Sequence, residues 1–344
     1  AGKGYILMEG GKISITAGED GLQGEVNTLI KDGDLTISTG GGSANSSDKA
    51  SWGQSQSTTE TTVSAKAIKA GMNIVIEGGT IDIDSSDDAL NSGNNLVVSG
   101  GTMNISSGDD GLHADSTLTI NKGTVKLAKA YEGIESQSIT VNGGDVDMTT
   151  SDDGFNVSGG SDSSSTNGRP GQNGFGSDSG GTLTINGGEI NVNCSGDGLD
   201  SNGSIKMTAG TVTVDGPTND GNGAIDYNGT FDITGGILIA SGSSGMAEGP
   251  SATSTQNSVK ITLTSQSAGT AISIKGSSGS EIASFTPSKQ YASVVISSPD
   301  IKSGSTYTVY AGGNEVGSFT VSGTVSEVTQ SGASSGTTGG KKHP

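Results

Sequence analysis

A glycine-marked register of 22 residues is what most limits how this chain can fold. Aligning the second glycine of each Gly-Gly-Thr-like turn gives Gly11, Gly33, Gly79, Gly101, Gly123, Gly144, Gly188, Gly210 and Gly236, with steps of 22, 46, 22, 22, 21, 44, 22 and 26. The two long steps enclose residues 40–63 and 158–180, which are Gly/Ser-rich and lack strand alternation. Each therefore reads as one coil carrying an insertion, and the chain reads as nine coils.

Within a coil the apolar residues alternate with a period of two, the signature of a strand. Leu118-Thr119-Ile120 precedes a reference glycine and Met103-Asn104-Ile105 follows one. A third apolar position recurs at a second turn, in Leu22, Leu90, Leu112, Ile134, Phe155 and Leu199. Three short strands per 22 residues describe an all-β chain wound as a parallel β-helix, over residues 1–250. Composition alone would suggest disorder, with aromatics at 3% and a net charge of −19 from 36 acids against 17 bases. The coil register removes that reading, because a stack of narrow ladders needs few bulky side chains. Glycine serves the turns, which recur in every coil and call for positive φ.

Beyond about residue 250 the register is lost. Residues 251–325 read as a small β domain of five or six strands (Val259–Leu263, Ala271–Ile274, Ser293–Ile296, Tyr307–Tyr310, Ser318–Val321) capping the last coil. Residues 326–344 read as a flexible Ser/Gly/Thr tail. The single cysteine, Cys194, rules out an intrachain disulfide and reads as a small buried hydrophobe. Strong acidity argues against nucleic acid as a partner. No apolar run approaches the ~18 residues of a membrane helix, so no membrane insertion is expected.

Nine residues after six of the nine reference glycines an acid recurs at the second turn: Asp20, Asp88, Asp110, Glu132, Asp153 and Asp197. Asp87, Asp109 and Asp152 precede three of them, and Gln23, Asn91, His113, Glu135, Asn156 and Asp200 follow three positions on. Equivalent residues of stacked coils lie about 4.8 Å apart. Unit charges at ~4 Å repel by about 4 kcal/mol at an effective dielectric of 20. Such a column needs protonation, solvent screening or a cation, and its oxygen-only donors suit calcium. The metal candidates are Asp87, Asp88, Asp109, Asp110, Glu132, Glu135, Asp152, Asp153 and Asp197. Each Asp-Asp-Gly is also ordinary turn chemistry; the repetition in register is what points to Ca2+.

One coil carries Lys122, Lys126 and Lys129 just ahead of Tyr131 and Glu132. Lys126, Lys129, Tyr131 and His113 are the carbohydrate candidates, on the idea that lysine and calcium share a sugar carboxylate. The plainer readings are that the lysines offset the acids and that His113 is a hydrogen-bonded rung. Asn121, Asn142 and Asn186 share a turn position and read as a ladder. Trp52, the single tryptophan, falls in the first insertion and reads as a stacking platform or a cover.

The runs GGTIDIDSSDDALNSGNNLVVSGGTMNISSGDDGLHADSTLTI, SGDGLDSNGSIKMTAGTVTVDGPTNDGNGAIDYNGTFDITGG and SSPDIKSGSTYTVYAGG resemble a family of secreted bacterial carbohydrate-binding domain proteins. The resemblance implies a right-handed parallel β-helix that binds calcium, cellulose and acidic sugars such as pectin, similar in fold to the pectate lyases. It also implies a secreted, extracellular or cell-surface setting. The Asp87/Asp88, Asp109/Asp110 and Asp152/Asp153 corners match the family's acidic motif, whereas Lys66-Ala67-Ile68-Lys69 puts lysines at the same corner and argues against a site there. Non-catalytic polysaccharide binding is the leading expectation. A calcium-dependent uronate lyase is the enzyme alternative, though the single arginine, Arg169, lies in an insertion. A self-assembling filament is the structural alternative, because a bare first coil invites head-to-tail pairing into a homopolymer.

Overall fold

A computed structural model describes residues 4–46, 63–158 and 180–333. Trp52, Arg169 and most of both insertions lie outside the described residues, as does the chain end beyond residue 333.

The chain is a parallel β-helix. Strands before each reference glycine stack into a first face, running from Tyr5–Met8 through Asn27–Ile30, Asn73–Ile76 and Asn95–Val98 to Phe231–Ile233. Strands after the glycine stack into a second face of nine, from Lys12–Ala17 through Thr80–Ser85 to Ile237–Gly242. A third, shorter face runs from Leu22–Gly24 through Leu90–Ser92 to Ile225–Tyr227. In the middle of the stack Leu112–Ile120 and Ile134–Val141 run on from the third face into the first, with a register break at the bend.

Asp34 pairs directly with Thr80, and Asp145 with Glu189. The 46- and 44-residue steps are therefore single coils with excursions. All nine reference glycines have positive φ, from 87° to 114°. At Gly79 an added Cβ would also lie 2.6 Å from the Gly33 carbonyl of the coil below, so the turn is closed to larger residues by space as well as by conformation.

The interior is the expected set of ladders. Ile74, Leu96, Leu118, Ile139 and Leu183 stack on the first face and Ile81, Met103, Val125, Val146 and Ile190 on the second, all buried. Cys194 belongs to this core, and burial raises its thiol pKa far above the ordinary value. Polar ladders run outside. Asn142 donates to Asn121 at 2.8 Å and Asn186 to Asn142 at 2.9 Å, as the shared turn position suggests. A second ladder, from Asn27 through Asn73 and Asn95 to Thr117, has bonds of 2.6–2.9 Å and was not anticipated.

The C-terminal segment forms seven strands rather than five or six. The additional ones are Glu281–Phe285 and Val325–Thr329. Tyr291–Ser297 pairs antiparallel with the second-face strand of the last coil and extends that sheet, and Val325–Thr329 adds in parallel to Ser258–Gln266. Ordered structure therefore continues past residue 325. A separate apolar cluster, including Ile261, Tyr291, Val309 and Phe319, fills this part. It is pinned to the stack where the Ser288 amide donates to Asp215 at 2.7 Å and Lys289 Nζ reaches the Cys194 carbonyl.

Candidate functional site: the acidic corner

The turn between the second and third faces gathers the acids. Small residues build it: Gly111, Gly133, Gly154 and Gly198 occupy one column, and an added Cβ at Gly133 would lie 2.4 Å from the Gly154 carbonyl. Coils can then stack closely enough for their side chains to meet. Leu90, Leu112, Ile134, Phe155, Leu199 and Ile225 point inward in register, and the next residues, Asn91, His113, Glu135, Asn156, Asp200 and Asp226, form the polar column beside them.

Toward the N-terminus the protein supplies its own cations. Lys66 Nζ is buried, reaching Asp88 Oδ2 and lying 3.2 Å from Asp87 Oδ1, while Asp88 also accepts from Asn91 at 2.8 Å. Lys69 Nζ lies 3.1 Å from Asp20, which accepts from Ser64 Oγ at 2.6 Å and from the Lys66 amide at 3.0 Å. Burial opposes ionisation of Asp20, but these partners outweigh it and lower its pKa. The lysines that argued against a site at this corner are thus the counter-ions of the acids beside it. Asp87, Asp88 and Asp109 present carboxylate oxygens within 4.8 Å of one another.

His113 governs the middle. Its side chain is 0% exposed, with Nδ1 2.9 Å from Glu135 and 3.2 Å from Asp110, and Nε2 3.1 Å from Asp115. Ionised carboxylates only accept hydrogen bonds, so facing them on both nitrogens favours the imidazolium. Burial alone would lower the His113 pKa; the bonds to Asp110, Asp115 and Glu135 overcome it and hold the pKa well above the usual value. Glu135 likewise overcomes its burial through His113 and through Ser158, which donates at 2.5 Å, and its pKa is lowered.

Further along, the described residues place no basic side chain in an ion pair with the column. Glu132 is buried and accepts from Asn156 Nδ2 at 2.7 Å, and its pKa is driven well up by burial, then by Glu135, Asp110 and Asp153. Asp153 accepts from the Asp197 amide at 2.6 Å, and burial, with Asp152, Asp197 and Asp200 near it, raises it strongly. Asp200 shifts the same way, from burial and then Asp197 and Asp226. Asp197 rises to about 7, chiefly from burial. Asp197, Asp200 and Asp226 form a second group with oxygens within 4.8 Å of one another, a cluster the sequence candidates touched only through Asp197.

The four carbohydrate candidates do not converge. His113 is enclosed by carboxylates, so its ring offers a sugar no exposed surface. Tyr131 is half-buried at the corner, hydrogen-bonded to Asp152, with burial raising its pKa. Lys129 Nζ binds the Ser43 carbonyl, where the first insertion leaves the coil. Lys126 lies on the outer second face instead, in register with Asn104 and Asp82. There it lines a shallow groove of about 410 Å³ with Thr36, Ser38, Asp84 and Ser106. Lys126 and the acidic corner therefore occupy different parts of the coil, the outer second face and the turn that follows it.

Among the described residues no helix is long and apolar enough to cross a membrane. Neither a curated protein nor a solved structure matches the chain. A family model described as "Carbohydrate-binding domain-containing protein" matches residues 1–111 and 108–154, the first coils together with the N-terminal and middle parts of the acidic corner, and supports a polysaccharide-binding role for this chain.

Proposed function

We propose that this is a non-catalytic, extracellular polysaccharide-binding protein in which sugar and cation occupy different parts of the β-helix. The family match across the N-terminal coils carries the reading. The exposed second face suits a polymer, since Thr36, Asp82, Asn104 and Lys126 repeat once per coil and weak contacts add along a chain. Hydroxyl, amide, carboxylate and ammonium groups in one groove can each hydrogen-bond sugar hydroxyls, and Lys126 can meet a uronate carboxylate. Plant-type polymers, pectin or cellulose, are the ligands proposed. Calcium belongs to the corner, as a structural ion for buried carboxylates rather than a bridge to the ligand.

Retention on insoluble cellulose and on calcium-gelled polygalacturonate tests this reading. Binding to either polymer, weakened severalfold in Lys126→Ala, is expected; a chain retained by neither refutes it. Steady release of unsaturated product from soluble polygalacturonate would establish a lyase instead. Head-to-tail assembly would have to bypass the last coil, whose second-face strand is already paired with Tyr291–Ser297.

A further inference from the structure

The contact between Lys66 and Asp88 differs from the other lysine–carboxylate pairs in being dry on both sides. The Lys66 side chain is 7% exposed and the Asp88 side chain is fully buried. Lys69 beside Asp20 is only half-buried, Lys260 meets an exposed Glu327, and Lys12 and Asp34 are both open to solvent. Ala65, Ala67 and Ile68 around Lys66 are buried, as are Ala89 and Leu90 beside Asp88.

Hydrogen bonds fix the acceptor and its neighbour. Asp88 Oδ1 accepts from the Asp110 amide at 3.2 Å and Oδ2 from Asn91 Nδ2 at 2.8 Å, so the carboxyl carbon is held in place. Asp87 Oδ1 accepts from the Asp88 amide at 2.9 Å and lies 3.2 Å from Lys66 Nζ, while its Oδ2 accepts from the Ala65 amide at 3.1 Å. An amine, an immobilised carboxyl and a second carboxyl against the same amine are the parts of an amide-forming reaction: nucleophile, acyl carbon and proton relay. Well-oriented intramolecular partners react as if at roughly 10⁵ M or more, and burial costs the charged pair the hydration of both ions.

We propose that Lys66 and Asp88 join in an intramolecular isopeptide bond that staples two successive coils. Lys66 Nζ gives a proton to Asp87 and attacks Asp88 Cγ. The Nζ–Cγ bond forms, and negative charge gathers on Oδ1, to which the Asp110 amide donates. The Cγ–Oδ2 bond then breaks, and Oδ2 leaves as water with the proton held by Asp87 and a second proton from Nζ. One ammonium and one carboxylate become one amide and one water, and Asp87 ends as it began. Lys66 follows the first insertion, residues 40–63, by three residues, so the staple ties down the coil where that excursion ends. The bond involves neither sugar nor calcium and stands apart from the proposed function.

Intact-mass spectrometry of the denatured whole chain, followed by tryptic mapping, tests it. The native chain should weigh one water less than its sequence requires, and digestion should yield a branched peptide joined through Lys66 and Asp88. Lys66→Arg, which keeps the charge, and Asp88→Ala should each show the full sequence mass. Asp88→Asn should lose ammonia in place of water. Asp87→Asn, which removes the relay and keeps both partners, should slow conversion at least about tenfold. A native chain that is folded by circular dichroism yet has its full sequence mass overturns the proposal without recourse to any variant. So does a water loss that persists in Lys66→Arg, which would mark a cyclic imide at an Asp-Gly turn such as Asp110-Gly111.

Discussion

Lys66 stands where neighbouring coils carry an acid, and its ammonium lies between Asp87 and Asp88 at 7% side-chain exposure. Removing one member of a buried ion pair leaves the other charge uncompensated, at a cost of about 3–5 kcal/mol. Lys66→Met should lose that much in urea unfolding, far more than an exposed lysine such as Lys12. Gly133→Ala should also destabilise, by about 1–3 kcal/mol, because its Cβ would lie 2.4 Å from the Gly154 carbonyl, which cannot move aside as the Met148 thioether at 2.6 Å can. Thermal unfolding of that variant checks the claim. At this scale the sequence was partly legible. Counting 22-residue steps found the acids and the odd lysines. That the lysines serve the acids of neighbouring coils, Lys66 those of the next and Lys69 Asp20 of an earlier one, and that the Asn156 amide is half-satisfied, depends on side-chain reach and rotamer, which spacing does not encode.

At the scale of the strand, the core is a set of ladders whose rungs gain burial from the coils on both sides. Ile105 lies within the stack and is buried, whereas Ile15 in the first coil is only partly covered and Ile13 is 39% exposed. Ile105→Ala should therefore cost about 2–5 kcal/mol and Ile15→Ala clearly less, by guanidinium unfolding of the two variants. The strands themselves were readable because period two and a glycine at fixed spacing coincide in every coil. Glu281–Phe285 and Val325–Thr329 escaped because they have no 22-residue register to reinforce a short mixed segment, although the first pairs in a local hairpin with Ile272–Gly276 and only the second depends on a distant partner, Ser258–Gln266. The Asn27–Asn73–Asn95 ladder was available in the same alignment, but it lies at a strand start rather than at the glycine turn.

Across the molecule, the corner links stability to pH and, on the proposed reading, to a bound cation. Asp197 and Glu248 are raised to about 7 in the folded state, from an ordinary carboxylate value near 4. A folded pKa above the unfolded one means the native state holds the proton more tightly. The resulting stability is complete below pH ~4 and declines as pH rises toward 7, by up to about 1.4 kcal/mol per group and pH unit. Both groups keep some solvent contact, so the observed slope will be smaller. His113, also raised, contributes in the same direction, while Asp20 and Glu135, lowered, contribute stability that is lost on acidification below about pH 4. Chelated protein should accordingly show its highest melting temperature in mildly acidic buffer and lose stability between pH 5 and 8. Millimolar calcium should flatten that decline, because the ion takes over from the protons.

The separation of sugar from cation is the claim on which these scales meet, and retention on insoluble polysaccharide in calcium and in chelator addresses it most directly. At a temperature where circular dichroism shows the chelated chain still folded, binding to the polymer should persist without calcium and fall in Lys126→Ala. Binding that vanishes on chelation while the fold remains would show that the ion bridges protein to sugar, and would contradict the account.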